Sequence, residues 1–427
     1  MHARKRFAFA PARRGMRLAP RSGVTESQPL PVTGIVLAGA AALGAYEVGV
    51  LSYLYESVLP EASGAEPSVF SGTSAGAINV TALAANVDQP LIATSLLAHA
   101  WQEIDLATML RPSARDSIAM LLDVAGAPNI VRHMPYLHAA SGGIVSDEAI
   151  VRLVARIPFD SLAEHVASGD VRGIALTATR IADGSATVFY ASHRSVPPWI
   201  SAPNAVPTPA TMTAKHVMAS AAIPLLFPAV TIGDDAYCDG GLRQMVPLSP
   251  AMHLGAERVL VINPLPSVRP RSARAANVAS PLYLAGKALN ALFGDRLETD
   301  LANARRTTAI LRAGTARFGP GFQDALDAQL VADGQSPIQP LDVLCIEPTV
   351  DFGELAAEHV KSKAFTRHAH SAVALLLRQI AGDEPERMAD LLAYVLFDGG
   401  FTAKLIEIGR ADGRARHAEL AAFFAAT

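Results

Sequence analysis

Cysteine and charge are both scarce in this chain. Only two of the 427 residues are cysteines, Cys238 and Cys345. Two cysteines are too few for a disulfide framework or a cysteine-based zinc site, so the sequence is compatible with a reducing compartment. Charged residues make up 18% of the chain and hydrophobic residues 50%. This composition excludes an intrinsically disordered chain and predicts a globular protein with a large core.

An excess of positive charge is also missing from the chain as a whole. The formal net charge is −3, which by itself predicts nothing about nucleic acid, and we expect no nucleic-acid partner. Residues 1–30 differ from the rest, because they hold seven Lys and Arg residues against one acidic residue, Glu26. This arm lacks the apolar segment of a secretory signal, so we expect a disordered leader, with contact to anionic lipid headgroups as the alternative. The expected location is cytoplasmic, with peripheral membrane contact as a further option.

No convincing membrane span is present in the sequence. The stretch from Gly34 to Leu54 contains a single charged residue, Glu47. A span would place this charge near the centre of the bilayer at a cost of a few kcal/mol. Small residues also cluster at 38–42. A buried strand, a loop of glycine and alanine, and a helix therefore explain the stretch better.

A serine between two glycines is the first chemical signal. The segment Gly72-Thr73-Ser74-Ala75-Gly76 follows a strand-like stretch and precedes a helix-compatible run. A sharp strand-to-helix turn of this kind needs small neighbours and exposes the serine hydroxyl. The start of the helix also leaves free N–H groups that can receive an oxyanion. The pattern predicts a serine acyl hydrolase with Ser74 as nucleophile, with a plain structural turn as the alternative.

A loop of small residues, 39–44, lies about 30 residues before Ser74. One helix fits between them, so we expect the loop and the serine turn at the carboxyl ends of neighbouring parallel strands, where open α/β sheets place their sites. Backbone N–H groups of the loop could then bind the tetrahedral oxyanion, which is worth about 3–4 kcal/mol per donor. A simple tight turn remains the alternative.

A serine hydroxyl needs a base, and Asp239 is the best candidate. It lies at the end of a short strand and precedes Gly240 and Gly241. A carboxylate within reach of Ser74 can act as general base if burial raises its pKa; a structural Asx-turn is the alternative. A Ser–His–Asp hydrolase would instead use one of the histidines, for which the candidates are His253, His359, His368 and His370.

Taken together, the blocks at 35–51, 70–79 and 219–248 resemble the patatin-like phospholipases, which use a Ser–Asp dyad. The resemblance covers roughly residues 32–265. It implies that Ser74 is the nucleophile and Asp239 the base, and that the substrates are fatty-acyl esters of phospholipids, lysophospholipids or neutral lipids. It implies no metal or organic cofactor. The supporting residues implied are an oxyanion hole at Gly39, Ala40 and Ala41, an elbow at Gly72 and Gly76, and an aspartate turn at Gly240 and Gly241.

One block departs from the family pattern, which is three glycines, a small residue, Arg or Lys, and glycine. Here Ala40 and Ala41 replace two glycines, and Leu43 replaces the basic residue. Alanine is strained wherever the backbone needs a positive φ, and the missing cation removes a contact for an anionic headgroup. Weaker activity, a preference for uncharged esters and a non-catalytic lipid-binding role are the alternatives that follow.

The expected fold class is α/β, with a three-layer, mostly parallel central sheet, helices on both faces and helical additions. The expected divisions are a leader at 1–30, a patatin-like core at 32–265, a flexible loop and helical insertion at 266–335, and a last core strand with C-terminal helices at 336–427. We also expect a proline-rich loop at 197–209 and two helices at about 282–294 and 295–313. The segments 97–140 and 265–335 are candidates for a lid, a membrane-docking face or an oligomer contact.

Overall fold

The computed structural model describes residues 30–425 except 63, 65, 105–147, 197–198, 200–204, 225, 266–280, 363–364 and 366–391. The basic leader up to residue 29 lies outside the described residues. So do most of the candidate lid at 97–140, the start of the insertion at 266, and the candidate histidines His368 and His370. Element labels below count only the described helices and strands.

A mostly parallel sheet forms the middle layer. The strands are β1 (Thr33–Leu37), β2 (Val69–Thr73), β3 (Gly173–Arg180), β4 (Ala186–Ser192), β5 (Ala205–Pro209), β6 (Val230–Ile232), β7 (Asp235–Asp239), β8 (Arg258–Ile262) and β9 (Asp342–Ile346). Their order is β5-β4-β3-β2-β1-β8-β9, and β7 pairs with β3 and with β6. The β3–β4, β3–β7 and β6–β7 pairs are antiparallel, and the others are parallel.

Helices cover both faces of this sheet. They are α1 (Gly44–Tyr53), α2 (Ala75–Ala84), α3 (Pro90–Gln102), α4 (Glu148–Val154), α5 (Phe159–Ser168), α6 (Ala214–Ser220), α7 (Leu248–His253), α8 (Pro281–Phe318), α9 (Gly321–Ala332), α10 (Phe352–Lys361), α11 (Gly399–Ala415) and α12 (His417–Phe424). A 3₁₀ turn (Ala41–Leu43) precedes α1, and a π turn (Leu54–Val58) follows it. The element order alternates strand and helix at the start of the chain, as expected for a parallel sheet.

The sheet separates two hydrophobic cores, because alternate residues of each strand face opposite sides. Ile35 and Leu37 of β1 belong to the larger core, which also contains the buried faces of α1, α2, α3 and α11. Val36 belongs to the smaller core, together with residues of α7 and α8. Apolar residues on both faces of a central strand require cover on both sides. The architecture is therefore the three-layer α/β fold expected from the sequence.

Helix α11, the second-last helix of the chain, packs directly on α1, the helix that follows the 39–44 loop. Glycines allow the two backbones to approach: a Cβ on Gly49 would lie 2.1 Å from Ile406 O, and a Cβ on Gly409 would lie 2.2 Å from Tyr46 O. Tyr46 also donates a hydrogen bond of 3.1 Å to Asp412. Helix α11 therefore supports the helix that follows the candidate oxyanion loop.

Two local expectations are wrong. Residues 205–209 form an edge strand, β5, inside the stretch expected to be a loop. Its prolines are tolerated because β5 pairs with β4 on one side only, so a missing N–H leaves no partner unpaired on the other. The expected pair of helices at 282–313 is one helix of 38 residues, α8. A glycine inside a helix costs only about 1 kcal/mol, so Gly294 does not end it.

Candidate active site

Ser74 lies on a sharply bent turn between β2 and α2. Its backbone has φ 56° and ψ −123°, a sparsely populated region for a residue other than glycine. The side chain is almost fully buried, with 4% of its surface exposed. Strain of this kind persists only where the surroundings enforce it. The geometry is that of the sharp strand-to-helix turn expected from the sequence, but the serine side chain is buried and not exposed as expected.

The two glycines of the elbow are required by close backbone contacts. A Cβ on Gly72 would lie 2.5 Å from Gly76 O, and a Cβ on Gly76 would lie 2.5 Å from Leu37 O. Both distances are too short for any side chain, and both obstacles are backbone atoms that cannot swing away. The Gly-x-Ser-x-Gly spacing therefore serves the packing of β2 and α2 against β1.

Asp239 ends β7, and the register of the sheet brings it to the serine turn. Thr73, the last residue of β2, pairs with Thr177 of β3. Asp239 pairs with the next residue of β3, Ala178, on the side that β2 has just left. The two strands run in opposite directions and meet end to end beside β3. Residues far apart in the sequence thus become neighbours at this point.

The carboxyl group of Asp239 is buried and only partly satisfied by hydrogen bonds. Its Oδ1 accepts a hydrogen bond of 2.7 Å from the N–H of Gly241, whereas Oδ2 is buried without a partner among the described residues. Burial raises the pKa of Asp239 to about 6, and the Ser74 hydroxyl and the Gly241 N–H oppose this rise. The Ser74 hydroxyl therefore lies near enough to the carboxylate to lower its pKa.

The 39–44 loop lies against the serine turn. A Cβ on Gly39 would lie 3.1 Å from Ser74 Cβ. The Gly39 N–H already donates a hydrogen bond of 2.9 Å to Met245 O, so this expected oxyanion donor is occupied. Within the described residues, the N–H groups of Ala40 and Ala41 make no hydrogen bond. The N–H groups of these two alanines are therefore available to bind an oxyanion, in contrast to that of Gly39.

One alanine of this loop, Ala41, has a strained backbone conformation. Ala41 has φ 50°, and it is the one non-glycine residue besides Ser74 with a positive φ in the described part of the chain. An alanine in the left-handed region costs about 1–2 kcal/mol relative to its ordinary conformation. The loop therefore keeps a conformation that suits glycine, although it carries alanine.

The single acidic residue of the first helix, Glu47, lies beneath the loop. It is fully buried, and its Oε2 accepts a hydrogen bond of 2.8 Å from Asn79 Nδ2. The same amide donates to Gly44 O at 3.0 Å and accepts from Trp101 Nε1 at 3.0 Å. Burial raises the pKa of Glu47 well above its usual range. A neutral carboxyl in a polar network explains how this residue is accommodated in an apolar stretch.

Sequence reasoning missed one residue of the site, Ser220 at the end of α6. Its Oγ accepts a hydrogen bond of 3.0 Å from the backbone N–H of Ser74. The surrounding segment was recognised as part of a block, but a serine among small residues has no local pattern that marks such a contact. Only the packing of α6 beside β3 reveals it.

The described candidate histidines lie in other surroundings. His253 stacks on Trp199 with ring centroids 4.5 Å apart, and its Nδ1 lies 2.8 Å from Ser249 O. His359 Nε2 lies 2.6 Å from Asp398 Oδ1, at the start of α11. Neither ring contacts Ser74 or Asp239. In the described residues a single strand, β1, precedes the serine strand.

In the described part of the chain, no helix combines the length and apolarity needed to cross a bilayer. The same residues contain no group of three or more His, Cys, Asp or Glu side chains arranged to hold a metal ion.

Comparison with protein-family models identifies one family. The family described as "Patatin-like phospholipase" matches residues 35–252, about half of the chain, and this range contains the loop, Ser74 and Asp239. A search of curated proteins finds no match. Among solved structures, VipD from Legionella pneumophila has 11% sequence identity and a TM-score of 0.29, covering 89% of this chain and 67% of its own. The heterodimeric ExoU-SpcU complex from the type III secretion system of Pseudomonas aeruginosa has 17% identity and a TM-score of 0.24, with coverage of 85% and 69%.

Proposed function

Because this chain belongs to the patatin-like phospholipase family, we propose that it is a lipid acyl hydrolase. In this proposal it cleaves the carboxylic ester bonds of phospholipids or other lipids through an acyl-enzyme at Ser74, with Asp239 as general base. The observation that carries the proposal is the register of β3, which pairs with Thr73 and Asp239 at consecutive positions. That register supports a dyad of the two side chains without a histidine.

In the proposed acylation step, the Asp239 carboxylate takes the proton of the Ser74 hydroxyl. Ser74 Oγ attacks the ester carbonyl carbon, and the carbonyl electron pair moves onto oxygen. The N–H groups of Ala40 and Ala41 donate to this oxyanion. The intermediate then collapses, the ester C–O bond breaks, and Asp239 returns the proton to the leaving alcohol. A base with a pKa of about 6 is largely ionised near neutral pH, as this step requires.

Deacylation repeats the same proton transfers with water. Asp239 takes a proton from a water molecule, whose oxygen attacks the acyl carbonyl carbon of the acyl-enzyme. The new intermediate collapses, the bond to Ser74 Oγ breaks, and the proton on Asp239 goes to that oxygen. The products are a fatty acid and free enzyme. Both half-reactions balance with one nucleophile and one carboxylate.

One observation favours a second candidate function, a lipid-binding protein with little or no activity. Ala41 holds a positive φ that strains alanine, and relaxation of this strain would rotate the N–H donors away from Ser74. The oxyanion would then lose stabilisation worth about 3–4 kcal/mol per donor. In this case lipid would bind in the site without being cleaved.

Chromogenic acyl esters and a fluorophosphonate probe separate the two candidates. We expect the wild type to hydrolyse the esters and to be labelled at Ser74, and Ser74→Ala and Asp239→Asn to lose hydrolysis. Asp235→Asn is a matched control, because Asp235 begins the same strand that Asp239 ends, and it should retain activity. Equal hydrolysis by the wild type and Ser74→Ala would contradict the proposal, and an unlabelled, inactive wild type that binds lipid vesicles would favour the second candidate.

Release of fatty acid would then define the substrate. We expect phosphatidylcholine vesicles, lysophosphatidylcholine micelles and triacylglycerol emulsions to be hydrolysed faster than vesicles of anionic phosphatidylglycerol, because Leu43 stands where the family carries a cation. Leu43 is uncharged and lies in the larger core. This position therefore offers no cation to an anionic headgroup. A clear preference for anionic phospholipid would contradict this expectation.

A further inference from the structure

The end of α6 contacts the backbone of the nucleophile. Ser220 is fully buried. Its Oγ accepts the 3.0 Å hydrogen bond from the Ser74 N–H and donates one of 2.6 Å to Thr177 O. A serine hydroxyl has one proton to donate and lone pairs to accept, so both bonds can form at once. Ser220 thus links the serine turn to β3.

The same short segment also contacts the backbone of the proposed base. The N–H of Asp239 donates a hydrogen bond of 2.8 Å to Ala222 O. On the other side, the Asp239 carbonyl accepts a hydrogen bond of 2.8 Å from Thr179 Oγ1. Residues 220–222, which we call the α6 clamp, therefore accept hydrogen bonds from the backbone N–H groups of both members of the proposed dyad.

The α6 clamp contacts Ser74 at the point where the backbone hydrogen bonds of the β2–β3 ladder end. β2 pairs with β3 as far as Thr73, so the N–H of Ser74 has no ladder partner. Ser74 also holds a strained conformation, with φ 56°, which needs outside interactions to persist. The hydroxyl of Ser220 supplies the missing acceptor. Alanine at this position would remove the acceptor of the buried Ser74 N–H and the donor to Thr177 O.

We propose that Ser220 is a positioning residue, which holds Ser74 in the orientation required for attack while Ala222 holds Asp239. This inference rests on the proposed function, because it concerns the geometry of the same reaction. Ser220 touches neither substrate nor the transferred proton, and it acts through the backbone of Ser74. Small displacements of a nucleophile are costly, since a misplacement of about 1 Å can reduce the rate about 100-fold.

A purely structural serine provides the matched control. Ser71 is also fully buried, lies in the same strand as the serine turn, and donates a hydrogen bond of 2.9 Å to Pro247 O. Ser71→Ala and Ser220→Ala each remove one buried hydroxyl and leave a buried carbonyl without its bond. Ser220→Ala also removes the acceptor of the Ser74 N–H, so it should lose more stability than Ser71→Ala, and only Ser220→Ala alters the position of Ser74.

The test compares wild type, Ser74→Ala, Ser71→Ala and Ser220→Ala at a temperature where all four are folded by circular dichroism. For Ser220→Ala we expect kcat for a chromogenic ester to fall about 10- to 100-fold with KM nearly unchanged. Fluorophosphonate labelling should slow in proportion. Ser71→Ala should stay within about twofold of wild type in both measurements.

The outcomes separate this inference from the proposed function. If wild type is active and Ser220→Ala matches it, or if Ser71→Ala loses as much activity as Ser220→Ala, the positioning role is wrong and the hydrolase proposal stands. If wild type neither hydrolyses esters nor reacts with the probe, the proposed function and the inference fall together.

Discussion

Thr73 and Asp239 pair with consecutive residues of β3, Thr177 and Ala178, on the same side of that strand. The strand that ends at Thr73 and the strand that ends at Asp239 therefore meet head-on. Ser74 follows the first of them directly. The proposed dyad is thus a consequence of sheet register, because one strand sets the positions of both strand ends.

The rate of ester hydrolysis should depend on pH through Asp239. Burial raises the pKa of this carboxyl to about 6, and only the ionised form can accept the Ser74 proton. We expect kcat/KM to increase with pH and to reach half of its plateau near pH 6. A pH–rate profile with an uncharged chromogenic ester measures this midpoint. A profile that is flat from about pH 5 to 8 would contradict the role of Asp239 as base.

Asp239 should also lower the stability of the protein at neutral pH. Its pKa in the folded state, about 6, exceeds the ordinary value of 3.8. The folded protein binds this proton more tightly than the unfolded chain does. Protonation therefore stabilises the fold fully below the unfolded pKa, and this stabilisation is lost as pH rises to about 6. Above that pH the ionised carboxylate lowers the free energy of unfolding by on the order of 2–3 kcal/mol. Asp239→Asn should melt at a higher temperature than wild type at about pH 7.5, with a smaller difference near pH 4. Equal differences at both pH values would contradict this.

Ala41→Gly should stabilise the protein. Ala41 has φ 50°, a conformation that glycine adopts freely and alanine does not, so the substitution should raise the free energy of unfolding by up to about 1 kcal/mol. Ala42→Gly is the control, since Ala42 has a negative φ and glycine there should lower stability. Urea midpoints of both variants measure the effects. A lower midpoint for Ala41→Gly than for wild type would show that the loop is not strained.

Gly409→Ala should destabilise the protein through the contact between α11 and α1. A Cβ at this position would lie 2.2 Å from Tyr46 O, so the two helices must separate, at a cost of about 1–3 kcal/mol or more. Gly321→Ala is the control, because a Cβ at Gly321 would meet nothing within 4 Å. Thermal unfolding of the two variants should show a clear loss for the first and little change for the second. Similar behaviour of both would mean that α11 does not pack tightly on α1.

Local patterns account for much of what could be predicted. The Gly-x-Ser-x-Gly turn, the Asp-Gly-Gly turn and the alternation of strands and helices depend on neighbouring residues, and the structure has them where the sequence indicates. The errors also have local causes. The prolines of β5 indicate a loop, because a strand tolerates proline only at the edge of a sheet and the sequence does not show which strand lies there. The glycine inside α8 indicates a break, because the sequence does not show how strongly the surrounding helix is stabilised.

The amino-acid sequence by itself predicted the turn at Ser74, the turn at Asp239 and the parallel sheet that carries them, because turn chemistry and hydrophobic periodicity operate over a few residues. Tertiary structure alone decided that the strand ending at Asp239 meets the strand that precedes Ser74. It also decided that the Gly39 N–H donates to Met245 O and that the Ser74 N–H donates to Ser220 Oγ. These contacts join residues that are distant in the chain. Their formation depends on strand register and on helix packing across the sheet, which no local pattern specifies.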